Sequence, residues 1–278
     1  MKAPEDLYEE AAHLPRCDHS CARPNQSLGL MNKLRALLII TFLLPVCALA
    51  QDGRGELVVL LHGLARSSNS MAPMATSLTA AGFEVCNVGY PSTDHSIETL
   101  AAKQVLPDVL ACVGAEPRKV NFVTHSLGGI IVRQLKDSTD QLRFGRVVML
   151  GPPNGGSEVV DKLGGLAPFE WINGPAGQQL GTGEASVPKA LGATDLELGV
   201  IAGRNSINPI LSWLIPGQDD GKVSIKNAQI EGMRDFLVLP VSHPFLMKDK
   251  AVIRQTIHFL RSGVFAHDTR QFAAGRRP

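Results

Sequence analysis

Ser126 sits in the stretch Thr124-His125-Ser126-Leu127-Gly128-Gly129, between an apolar run ending at Thr124 and an amphipathic run starting near Leu127. A strand that turns sharply into a helix lifts the residue at the turn above the carboxyl end of a sheet. Its backbone is strained there, so the neighbours two residues before and after must be small. A serine so placed exposes its hydroxyl, and the helix N-terminus favours negative charge developing beside it. That is the placement an attacking oxygen needs. The pattern alone is weak, because Asn25-Gln26-Ser27-Leu28-Gly29 nearly repeats it with no strand before it. The weight rests on partners.

An attacking serine needs a base, and the order serine, acid, histidine puts that base late in the chain. His243, His258 and His267 remain. His258 lies in an amphipathic helical run and His267 in a polar tail. His243 directly follows the last strand and precedes Pro244, at the sheet end where open α/β folds bind ligands. Asp219-Asp220-Gly221 supplies the acid. Asp220 is the first candidate, since the glycine turn can hold its carboxylate toward an imidazole Nδ1; Asp219 is the runner-up. His62-Gly63-Leu64 follows the first strand, and the backbone N–H of Leu64 can pair with that of Leu127 as an oxyanion hole. The side chain of His62 reads as structural.

These residues need a scaffold, and the chain alternates strand and helix. Residues 55–61, 83–88, 119–124, 146–150, 196–202 and 236–241 are short apolar or β-branched runs. Continuous apolar runs of that length read as buried parallel strands. Residues 68–81, 97–113, 127–135 and 251–260 read as helices, with Pro107 a potential kink. The expected fold class is therefore α/β, with about six mostly parallel strands and helices on both faces. Residues 154–195 break the rhythm and form a long, weakly regular insertion, the mark of a cap or lid. Its Leu163, Leu166, Phe169, Trp171 and Ile172 are candidates to line an acyl site, or to pack the insertion onto the domain.

The chain has 278 residues, with 27 Lys plus Arg against 26 Asp plus Glu, a formal charge of +1. That balance excludes a basic footprint for nucleic acid and points to a small neutral ligand, or to none. No metal site with zinc spacing, Walker loop or complete dinucleotide fingerprint is present, so no cofactor is expected. Cys17 and Cys21 bracket a histidine, but a lone pair at that spacing does not make a zinc site. Residues 32–50 carry a basic start, a short apolar run and Ala48-Leu49-Ala50, the parts of a secretory signal peptide. Met31 at its head makes residues 1–30 an over-long start, residues 31–50 the signal and residues 51–278 the working domain. An uncleaved membrane anchor through residues 34–50 is the alternative. The product is thus expected to be exported, periplasmic or secreted. Cys86 and Cys112 could pair in an oxidising compartment, although two buried thiols is the simpler reading.

Leu61-His62-Gly63-Leu64, the Ser126 stretch, Asp220-Gly221-Lys222-Val223 and His243 together resemble the α/β-hydrolase superfamily. The resemblance spans nearly all of residues 55–262. Leu150-Gly151-Pro152-Pro153-Asn154-Gly155-Gly156-Ser157 is similar to a stretch of bacterial lipases. Thr124 departs from the pattern, which has glycine there most often. The resemblance implies a serine hydrolase of lipase or esterase type, acting on small-molecule or lipid esters, with possible contact with a lipid surface. An acyltransferase or thioesterase would use the same residues. A non-catalytic binding protein on the same scaffold is the reading from another class. With only a few residues between the signal and the first strand, the sheet should be the short, six-stranded form.

Overall fold

The computed structural model of the chain describes residues 55–267, without the side chains of residues 169 and 170. The expected extension (1–30) and signal or anchor (31–50), with Cys17 and Cys21, lie outside the described residues. Among the described residues no helix is long and apolar enough to cross a membrane.

Six strands form one sheet: β1 (Leu57–Leu61), β2 (Glu84–Val88), β3 (Lys119–His125), β4 (Arg143–Leu150), β5 (Glu197–Gly203) and β6 (Asp235–Leu239). All neighbours run parallel, in the order β2-β1-β3-β4-β5-β6. The chain thus starts near one edge, doubles back once, and then steps steadily to the other edge. The helices are α1 (Ala72–Ala80), α2 (Ile97–Thr99), α3 (Leu106–Val113), α4 (Leu127–Ser138), α5 (Glu158–Leu163), α6 (Ala167–Gln178), α7 (Val187–Ala190), α8 (Pro209–Leu214), α9 (Ile225–Ala228) and α10 (Lys250–Ser262). A π-helical segment, Leu100–Val105, joins α2 to α3, and Pro107 falls in the first turn of α3. The run is helical without a break from Ile97 to Val113, so Pro107 lies in its interior, and the ladder widens to π-type spacing in the turn before it, where the proline ring and its missing N–H disturb the regular bonds.

Strand periodicity divides the core into two layers. Leu57, Val59 and Leu61 of β1 face α3 and α4, where Val109, Ile130 and Leu135 are buried. Val58 and Leu60 face the opposite layer, with Met74 and Leu78 of α1 and Val252 and Phe259 of α10. With both faces covered, every residue of β1 is buried. That is why the strand is apolar at each position rather than alternating.

Residues 154–195 are more regular than expected, since they hold α5, α6 and α7. They are pinned at several points. Ile97 N–H donates to Gln179 Oε1 at 2.6 Å, and the buried Arg133 donates to the carbonyls of Pro188 and Gly192 at 2.9 and 2.8 Å. Burial lowers the Arg133 pKa to about 10.

Cys86 of β2 and Cys112 of α3 form a disulfide, in place of the two buried thiols of the simpler reading. Their separation of 26 residues closes a loop whose entropy in the unfolded chain is worth about 3.5 kcal/mol. Replacing both by alanine should lower the melting temperature by roughly 7 to 14 °C in a domain of this size. A circular-dichroism melt of the double variant measures this, and a shift under about 2 °C would mean that the bridge adds no stability.

Candidate active site

β3 ends at His125 and α4 begins at Leu127, which leaves Ser126 alone at the junction. Its backbone lies at φ 53, ψ −122, and Ala65 is the other non-glycine residue with positive φ among those described. Such a conformation costs on the order of 1–3 kcal/mol and persists only where the surroundings enforce it. Here Ser126 N–H donates to the Leu150 carbonyl of β4 at 2.9 Å, and Gly129 N–H returns to the Ser126 carbonyl at 3.0 Å. Gly128 makes the tight turn possible. A Cβ there would lie 2.7 Å from the Leu61 carbonyl oxygen and 2.9 Å from that of His62. Thr124, two residues before the serine, is fully buried within β3, opposite Leu61 and Met149. A threonine therefore fits where the resemblance anticipates glycine, although its hydroxyl finds no partner among the described residues.

His243 and Asp220 come together from separate loops at the carboxyl end of the sheet. His243 Nδ1 lies 2.7 Å from Asp220 Oδ2, with both side chains buried. The other carboxylate oxygen accepts the N–H groups of Lys222 and Val223 at 3.0 and 2.9 Å. Gly221, at φ 96, makes the turn that aims those groups back at the aspartate. The His243 N–H also donates to the Asp220 carbonyl at 2.9 Å, so backbone and side chain hold the pair in register. Asp219 points elsewhere. Its Oδ1 accepts the Ser212 hydroxyl at 2.6 Å and the Gly221 N–H at 2.7 Å, the role of a turn carboxylate. His258 lies within α10, and His267 Nε2 contacts Asp235 Oδ1 at 2.8 Å, away from this cluster.

Sequence reasoning gave His125 no role beyond its place in the motif. Its Nε2 lies 3.0 Å from the His243 carbonyl, and the two rings are 4.7 Å apart. A carbonyl only accepts, so Nε2 carries the proton and the buried Nδ1 is left bare, without a partner among the described residues. Burial, with the nearby His243, holds the His125 pKa well below the usual histidine value. His125 is thus a neutral strut that positions the His243 backbone. No local signal could reveal this, because its partner lies 118 residues downstream. His62 is structural, as expected. It stacks on Tyr90 at 4.1 Å, its Nε2 accepts the Tyr90 N–H at 3.3 Å, and burial lowers its pKa.

The N–H of Ala65 is taken by Ser92 Oγ at 3.0 Å, which removes it as an oxyanion donor and leaves the expected Leu64 N–H a candidate. Leu127 is the first residue of α4, where an N–H has no intrahelical acceptor. Leu64, Ser126 and His243 line one cavity of about 260 Å³. Its apolar wall is built from Pro153, Val159, Val160, Ile172 and Leu180. Of the insertion residues expected to line a site, Ile172 does so. Leu163 and Leu166 do not; neither does Trp171, which is 88% exposed. The side chain of Phe169 lies outside those described. Among the described residues no cluster of His, Cys, Asp or Glu could hold a metal ion.

A buried acid–imidazole pair on the same cavity as a strained serine at a helix N-terminus has the parts for nucleophilic acyl chemistry. The comparisons point the same way at the level of fold. A family model described as the alpha/beta hydrolase family matches residues 58–250. No curated protein matches. Among solved structures, the chain is similar to the Bacillus licheniformis lipase BlEst2 in mature form. The identity is 21% with a TM-score of 0.58, over 78% of this chain and 95% of that one. It is similar to the metagenomic carboxyl esterase MGS0156, at 18% and 0.53, over 72% and 68%. It also resembles the phospholipase PlaB from Legionella pneumophila, at 18% and 0.51, over 63% and 45%. At these identities the likeness is one of fold.

Proposed function

The chain belongs to the α/β-hydrolase family, and from that premise we propose that it is an exported serine hydrolase that cleaves carboxylic esters through an acyl-enzyme. The observation that carries this is the 2.7 Å contact between buried His243 and Asp220, on the same cavity as Ser126 in its strained turn. Ser126 Oγ attacks the ester carbonyl as its proton passes to His243 Nε2. Asp220 keeps the other ring nitrogen protonated and stabilises the imidazolium. The N–H groups of Leu64 and Leu127 hold the oxyanion. The tetrahedral adduct collapses, His243 returns the proton to the departing alcohol, and the acyl group stays on Ser126. Water repeats the sequence against the acyl-enzyme and releases the carboxylic acid.

Lipase and esterase neighbours of the same fold support an ester as substrate. Export is supported by the signal-like residues 31–50 and by the Cys86–Cys112 bridge, a bond that persists in oxidising compartments. Contact with a lipid surface is supported by Trp171 and Trp213, exposed on the two short helices α6 and α8.

The test is a fluorophosphonate probe on the protein expressed from the full chain, followed by mass spectrometry. The expected result is one adduct on Ser126, absent in Ser126→Ala, on a protein whose first residue is Gln51. No adduct on a folded protein would sink the hydrolase reading, and an intact residue 31–50 segment would sink the cleaved signal.

A further inference from the structure

The cavity beside Ser126 has a charge of its own. Arg66 and Lys222 both line it, and its lining holds no carboxylate. Neither cation forms an ion pair among the described residues. Asp220, the carboxylate that acts on Lys222 electrostatically, is already committed to His243 and to two backbone N–H groups. The two cations come from separate loops, one after β1 and one between β5 and β6, yet they meet at one mouth. Partial burial and the charge of Arg66 lower the Lys222 pKa, against the raising effect of the Asp220 carboxylate. The two exposed cations repel each other with only the committed Asp220 carboxylate nearby, and an anion bound between them would offset that repulsion.

The loop that carries Arg66 is fixed rather than free. Ala65, immediately before it, is held at φ 52, and its N–H is tied to Ser92 Oγ. A strained backbone next to a ligand-facing side chain is the arrangement expected of a site feature. The opposite wall is apolar, with Val159, Val160 and Leu180. The cavity is therefore amphiphilic, greasy on one side and cationic on the other, at the position of the attacking oxygen. The near-zero net charge of the chain hides this local asymmetry.

Resting on the ester-hydrolase reading above, we infer that the cleft selects esters carrying a negative charge near the scissile bond, held by Arg66 and Lys222 against a hydrophobic acyl or alkyl part. A carboxylate on a soluble ester and a phosphate in a lipid headgroup share this chemistry.

The test is the ratio of kcat/KM for anionic over neutral substrate, in two arms. One arm compares p-nitrophenyl glutarate with its methyl ester, in solution. The other compares fatty-acid release from phosphatidylglycerol and phosphatidylcholine vesicles. The native protein should favour the anionic member by about tenfold or more in at least one arm, from charge-assisted hydrogen bonds. The ratio should fall toward one in Arg66→Gln/Lys222→Gln and shrink with added salt. A preference in the soluble arm identifies a free anionic ester, and one confined to vesicles identifies the headgroup. A ratio at or below one in both arms, or a ratio the double variant does not move, overturns the inference while a Ser126 adduct keeps the hydrolase reading alive. No turnover in either arm with no adduct would take down both.

Discussion

Ester turnover by Ser126→Ala is expected to fall about 10⁵-fold or more, with the fold unchanged. In the proposed mechanism the oxygen removed is the one that attacks, and no other hydroxyl replaces it. Ser157 also lines the cavity, but its Oγ donates to the Lys222 carbonyl at 3.0 Å, which ties it to the acid turn. The backbone at position 126 stays strained in the variant, because alanine pays the same cost at φ 53 as serine does. The hydrogen bonds that hold it come from main-chain atoms of Leu150 and Gly129, which the substitution leaves intact. The melting temperature should therefore move by no more than about 2 °C. His243→Ala should cost nearly as much as Ser126→Ala, and the double variant little more than either. Residues that act as one unit lose their effect together, so the costs do not add. Rates that multiplied in the double variant would mean that the two residues act in separate steps, against the mechanism above.

How much of this was legible in the sequence depended on whether the signal was local. β1 could be read from Leu57–Leu61 because a strand buried on both faces must be apolar throughout. The six strands appear within a few residues of their expected bounds, although the edge strands β2 and β6 are only partly buried and carry polar residues. Candidates for the site could be ordered because the fold type fixes which strand end carries each. The contacts between them depend on tertiary structure, and no spacing rule reaches that far. His125 meets a carbonyl 118 residues away, and Cys86 meets a helix across the edge of the sheet. The insertion misled in a different way. Leu166 and Trp171 are apolar, yet they face solvent, while Val159 and Leu180 face the cavity. Helices this short, with a non-helical Gly174 and Pro175 inside α6, carry too little periodicity to name an inward face. The six-residue α8 was missed for the same reason, since none of its residues is buried.

Asp220→Asn offers the sharpest separation of roles, with an expected loss of about 10⁴-fold in kcat and little change in KM. Oδ1 of Asp220 accepts two backbone N–H groups, from Lys222 and Val223, so an asparagine must keep its carbonyl oxygen there. Its amide then turns an NH₂ donor toward His243 Nδ1, where the carboxylate oxygen now sits at 2.7 Å. Two donors cannot share one contact, so Nδ1 must give up its proton and become the acceptor. The neutral ring then carries its proton on Nε2, the nitrogen that has to take the proton of Ser126. The base is lost through its tautomer, with its position unchanged. Asp219→Asn should behave differently. Its Oδ1 accepts from Ser212 and Gly221, and an amide oxygen can do the same, so activity should stay within about tenfold of native. Two readings check the argument. Kinetics on a single ester gives the split between kcat and KM. Proton NMR of the native protein should show a downfield Nδ1–H resonance that disappears in Asp220→Asn and survives in Asp219→Asn. An Asp220→Asn protein that keeps a tenth of native kcat would remove Asp220 from the mechanism, and a collapse confined to Asp219→Asn would move the acid one residue upstream.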